Sequence, residues 1–94
     1  MLDKNQAEVI LDRLLKYAYS QQFLNKILRK SIFYKKGWFT LNVVMQSGNS
    51  FSIAISEDGT KFRNTTRLYR RNRIAKYHPK SEGLLTDLRG FKWF

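Results

Sequence analysis

Trp38-Phe39-Thr40-Leu41-Asn42-Val43-Val44-Met45-Gln46-Ser47-Gly48-Asn49-Ser50-Phe51-Ser52-Ile53-Ala54-Ile55-Ser56-Glu57-Asp58-Gly59 holds two runs of period two, each closed by a turn. In the first, Phe39, Leu41, Val43 and Met45 fall on one side and Trp38, Thr40, Asn42 and Val44 on the other. In the second, Phe51, Ile53 and Ile55 alternate with Ser50, Ser52, Ala54 and Ser56. Successive side chains of a strand point to opposite faces, so both runs predict half-buried strands. Ser47-Gly48-Asn49 supplies one turn. Glu57-Asp58-Gly59 supplies the next, with Asp-Gly the favoured hairpin pair. Thr60 to Arg63 can begin a third strand, which makes the centre of the chain an antiparallel meander with one apolar face.

That face needs a cover, and the N-terminal segment offers one. Asp3 is placed to cap a helix, with Gln6 in capping-box position. Ala7, Ile10, Leu11, Leu14, Tyr17 and Ala18 then recur at helical spacing, which predicts a helix over about Asn5 to Tyr19. Asp12 stands four residues before Lys16 and can pair with it. The stripe changes phase after Ser20-Gln21-Gln22. Phe23, Leu24, Ile27 and Leu28 predict a bend or a second short helix, with Lys26, Arg29 and Lys30 crowding its last turns. Ser31 to Tyr34 fits either the end of that helix or a short strand. The expected fold is α+β: an N-terminal helix or bent helical pair packed on a small antiparallel β-meander, with partial closure into a barrel as a variant.

Ninety-four residues make one domain, 1–94. Fourteen aromatic side chains (two Trp, five Tyr, seven Phe) argue for a packed core rather than disorder. With no cysteine, disulfides, thiolate nucleophiles and Cys-ligated metals are excluded. No apolar run approaches the roughly 18 residues of a membrane span. The N-terminus lacks the order of a signal peptide. A cytoplasmic protein without a membrane span is the expectation.

The charge is unevenly spread. Lys61 to Lys80 holds eight Lys and Arg and no acid, out of a net charge of +11. The remainder carries ten basic and seven acidic residues. Arg outnumbers Lys five to three in the tract, which suits bidentate contact with phosphate. Asn64, Thr65, Thr66 and Asn72 add neutral donors of the kind that fix register on a backbone. Tyr69 and Tyr77 can stack on bases if exposed, or join the core if not. The candidate nucleic-acid-binding residues are Lys61, Arg63, Arg67, Tyr69, Arg70, Arg71, Arg73, Lys76 and Tyr77. A solvated face that only aids solubility is the bland account of the same charges. Neither the helical nor the strand period fits the tract, and Pro79 ends any helix by His78. Beyond it, Ser81-Glu82-Gly83 reads as a loop, Leu84, Leu85 and Leu88 as one helical turn or an extended segment, and Phe91-Lys92-Trp93-Phe94 as an aromatic tail docked on the core.

Catalytic candidates are few. No phosphate-binding loop, dinucleotide motif, nucleophile elbow or zinc-helix motif occurs. Glu57-Asp58 belongs to a turn rather than to a cation site, and the single histidine, His78, has no carboxylate near it in sequence. The sequence implies no cofactor and no metal. Tyr69, Arg70, Arg71, Arg73, Tyr77 and His78 resemble in residue type the set used by ribonuclease toxins of the RelE type, although those proteins begin with a strand. The order of helix, Gly-turned strands and basic segment is similar to that of small RNA-binding barrels of the Sm and SH3-like kind, over about half the chain. The expected function is a small basic nucleic-acid-binding protein, a regulatory or accessory factor acting on DNA or RNA. The alternatives are a ribonuclease-type toxin, and an inhibitor or adaptor that binds an acidic protein.

Overall fold

Helix α1 spans Lys4–Ala18 and starts as its sequence dictates. The Gln6 amide donates to Asp3 Oδ1 at 2.8 Å and the Asp3 amide to Gln6 Oε1 at 3.0 Å, closing the capping box. Tyr19 is extended and Ser20 caps a second helix, α2 (Gln21–Leu24), by accepting from the Phe23 amide. The helical pair is thus broken by a serine cap, without glycine or proline. The computed structural model describes residues 1–64 and 82–92.

Five strands follow: β1 (Ile27–Lys35), β2 (Trp38–Met45), β3 (Ser50–Ser56), β4 (Lys61–Asn64) and β5 (Glu82–Leu84), then a 3-10 turn at Leu85–Asp87. Each is antiparallel to the one before it, in the order β1-β2-β3-β4-β5. The α+β class and the meander are as expected, but the sheet stays open and the barrel variant is corrected. Closure needs the two edge strands to pair. Here β1 and β5 stand at opposite edges of the sheet, and α1 covers its apolar face instead.

Two further expectations change. The chain from Ile27 to Lys30 is strand rather than helix, because it pairs with β2 from Ile27↔Met45 to Lys35↔Trp38. The register shifts between Ile27 and Arg29, leaving Leu28 as a bulged residue that is 61% exposed. A bulge reverses which face the following residues take, and so hides the two-residue period from any reading of the sequence. Glu82 and Gly83, expected in a loop, form β5 against Arg63 and Phe62. Gly83 lies beside the Phe62 ring, where an added Cβ would stand 3.0 Å from Phe62 Cε1, so a side chain at that position would crowd the ring.

The β1–β2 connection is a two-residue turn, Lys36-Gly37, with φ of 51° and 85°. Positive φ at both positions matches the right-handed twist of the strands it joins.

The core lies between α1 and the sheet. Ile10, Leu11 and Leu14 are buried with Phe39, Leu41, Val43, Phe51, Ile53 and Ile55, the set expected from the two periodicities. Leu15 joins them, while Tyr17 sits at the margin, its ring 5.5 Å from that of Phe91 and its hydroxyl donating to the Arg89 carbonyl. Phe91 is buried, so the tail docks as far as it is described. Asp12 pairs not with Lys16 but with Lys30 of β1, at 3.0 Å. No described helix is long and apolar enough to cross a membrane.

Candidate nucleic-acid interface

The alternation that buries Phe39, Leu41 and Val43 against α1 turns Trp38, Thr40, Asn42 and Val44 the other way. Residues paired directly across an antiparallel ladder share a face. Register therefore assembles the outer face: Lys35 opposite Trp38, Phe33 opposite Thr40, Ser31 opposite Asn42, and Arg29 opposite Val44. Beyond β2 come Ser50, Ser52, Ala54 and Ser56, a strip of small residues that leaves their larger neighbours standing above it. Arg63 lies opposite Ala54, and Lys61 shares its face by alternation with the buried Phe62.

Two of the predicted site residues, Lys61 and Arg63, are thus placed together on β4 and on this face. Arg67, Tyr69, Arg70, Arg71, Arg73, Lys76 and Tyr77 lie outside the described residues, as do Thr65, Thr66, Asn72 and His78. The segment that carries them joins β4 to β5, two paired strands.

The structure adds what the sequence did not single out. The Arg63 guanidinium carbon sits 4.0 Å from the centre of the Trp38 ring, a cation–π contact. Glu82 is directly across the ladder from Arg63, yet Asp12–Lys30 is the one ion pair among the described residues. A shallow depression of about 270 Å³ adjoins Trp38 and is lined also by Lys61, Leu84 and the two acids Glu82 and Asp87. Lys35, Lys61 and Arg63 therefore converge on one indole from two separate strands. Phe33, 47% exposed, stands on the same face, diagonal to Trp38. Arg29 extends the cationic side toward the start of β1. Cross-strand register, invisible in a linear pattern, is the only thing that unites Phe33, Lys35 and Trp38 with Arg63.

The turn that starts β4 is rigidly built. Asp58 Oδ1 accepts from the Ser56 hydroxyl at 2.6 Å, the Thr60 hydroxyl at 2.7 Å and the Thr60 amide at 3.0 Å. Ser56 Oγ in turn accepts from the Lys61 amide at 3.0 Å. The hydrogen bonds from Ser56 and then Thr60 hold the Asp58 carboxyl down to about 2, below its ordinary 3.8. On the helix side, the Tyr34 hydroxyl donates to Glu57, which raises the tyrosine's pKa.

No family model, no curated protein and no solved structure matches this chain.

Proposed function

We propose that this protein binds nucleic acid, as a regulatory or accessory factor, through phosphate contacts made by the outer face of its sheet and the basic segment that leaves β4. The observation that carries the proposal is convergence. Cations distant in sequence, Arg29 and Lys35 on β1 and Lys61 and Arg63 on β4, share one face, and none is in an ion pair among the described residues. Clustered cations favour a polyanion, because binding releases its condensed counterions, and the acids nearby, Asp58, Glu82 and Asp87, all lie on the β4–β5 side of the face. Four of the five arginines of Lys61 to Lys80 (Arg67, Arg70, Arg71 and Arg73) come from the segment that begins directly after β4. The ribonuclease alternative rests on Tyr69 to His78, outside the described residues, and no observation favours it.

A salt titration tests the proposal. On duplex DNA the slope of log affinity against log salt is about −0.9 per neutralised phosphate. The Arg70→Ala/Arg71→Ala variant should flatten it by roughly two units, and Lys35→Ala/Lys61→Ala by a similar amount, with all base sequences weakened alike. Slopes equal to wild type in the first variant would remove the tract from the binding surface. No measurable complex at an ionic strength of about 0.15 M would leave the charge as an aid to solubility alone.

A further inference from the structure

Resting on that reading, we infer that the partner is a single strand, and that Phe33 and the Arg63 guanidinium held over Trp38 form the platform on which its bases stack. A duplex presents phosphates and groove edges but keeps its base faces covered, so cations alone would serve it. A half-exposed aromatic ring on the outer sheet face, as Phe33 is, offers a stacking surface that an unpaired base can use and a paired one cannot.

Phe33 and Trp38 sit on adjacent strands in diagonal register, about 7–8 Å apart by the usual spacing of such pairs. That separation lets two successive bases of one backbone engage Phe33 and the guanidinium over Trp38, since sheet faces of this kind stack two or three bases. The surroundings suit the task. The residues of β3 in register with this end of β2 are small, Ser56 opposite Trp38 and Ala54 opposite Thr40. Lys35 lies across from Trp38, Lys61 beside it and Arg63 over it, so positive charge brackets the rings where a backbone must run. A guanidinium held over an indole is itself a surface on which a base can stack. The acids Glu82 and Asp87 line only the β5 side of the depression, which favours a strand running from Trp38 toward Phe33 and Arg29. The charge is complementary to a polyanion, and the exposed ring distinguishes a strand with free bases from one without.

The test uses the full chain carrying Trp93→Phe, which leaves Trp38 as the sole indole. The probes are oligo(dT), oligo(U) and a duplex of matched phosphate number. Single strands should quench Trp38 emission on saturation, and the duplex should not. Phe33→Ala should weaken single-strand affinity about tenfold or more, by the usual worth of one stacked base, and change duplex affinity by less than about twofold. Phe33→Leu, which keeps bulk but not the ring, should lose as much as the alanine. Circular dichroism of both variants should match wild type, because the ring is half exposed. Unchanged single-strand affinity in Phe33→Ala overturns the platform. Equal binding of duplex and single strand, both weakened by Arg70→Ala/Arg71→Ala, overturns it while leaving phosphate binding in place. Binding of none of the three probes overturns both, as does preferential capture of poly-glutamate, which would make the face a site for an acidic protein.

Discussion

Leu14 is fully buried where α1 meets β2 and β3, and replacing it by alanine measures how much of the fold depends on that contact. The substitution removes three carbons. At about 0.8 kcal/mol for each buried methylene, the lost transfer energy is about 2.4 kcal/mol. A cavity is left as well, because a helix and a three-strand ladder cannot both relax into it. At about 24 cal/mol per Å³, an unfilled ~50 Å³ adds about 1.2 kcal/mol. The expected loss is therefore about 3.5 kcal/mol. For a domain of this size each kcal/mol moves the melting temperature by about 4–8 °C, so the midpoint should fall by roughly 14–28 °C. Val9, on the exposed side of the same helix at 50% accessibility, is the control, and Val9→Ala should stay within about 0.5 kcal/mol of wild type. Far-UV circular dichroism on heating, together with a urea titration at constant m value, reads both. A Leu14→Ala midpoint within two or three degrees of wild type, or an equal drop in Val9→Ala, would refute the assignment of the helix face.

Two smaller predictions concern turns. Lys36 occupies a left-handed conformation that L side chains enter at a cost of about 1–2 kcal/mol; Lys36→Asn, which suits that position before Gly37, should raise the melting temperature by a few degrees, and no gain would mean the turn is not held as described. The Asp58 carboxylate is favoured in the folded chain, so its contribution is present above its ordinary 3.8 and is lost as pH falls through about 2. The melting-temperature gap between wild type and Asp58→Asn should accordingly be constant at neutral pH and close across that acidic window. A gap independent of pH would place the carboxylate's hydrogen bonds equally in the unfolded chain.

The parts of this fold written in local pattern were legible, and those set by pairing were not. The capping box at Asp3, the stripe through Ile10, Leu11 and Leu14, and the alternation from Phe39 to Ile55 each declare themselves within one element. Leu28 could not do so, because a bulge is defined only against the strand it bulges from. The three residues of β5 are too few to show any period, and Gly83 reads as a breaker until Phe62 is seen beside it. The site divides the same way. Lys61 and Arg63 stood out by charge density, which is a property of the linear chain. Phe33, Lys35 and Trp38 stood out in nothing until β1 was laid against β2. Arg29 has the place of a helix-end cation in the linear pattern, and in the fold it lies opposite Val44 on the outer face.

The pairing of Arg63 with Glu82 fixes both ends of the chain's most cationic segment at the distance of neighbouring strands. Both ends are held by the β4–β5 ladder. Closing such an interval is only weakly sensitive to its length, each doubling costing about 0.6 kcal/mol. A change in the length of 65–81 therefore carries only a small entropic cost of closure, and a graft of neutral sequence there tests how far the ladder stands by itself. A chimaera carrying a neutral Gly-Ser insert there would show, by circular dichroism and by salt titration, what the ladder and the Trp38 face do by themselves.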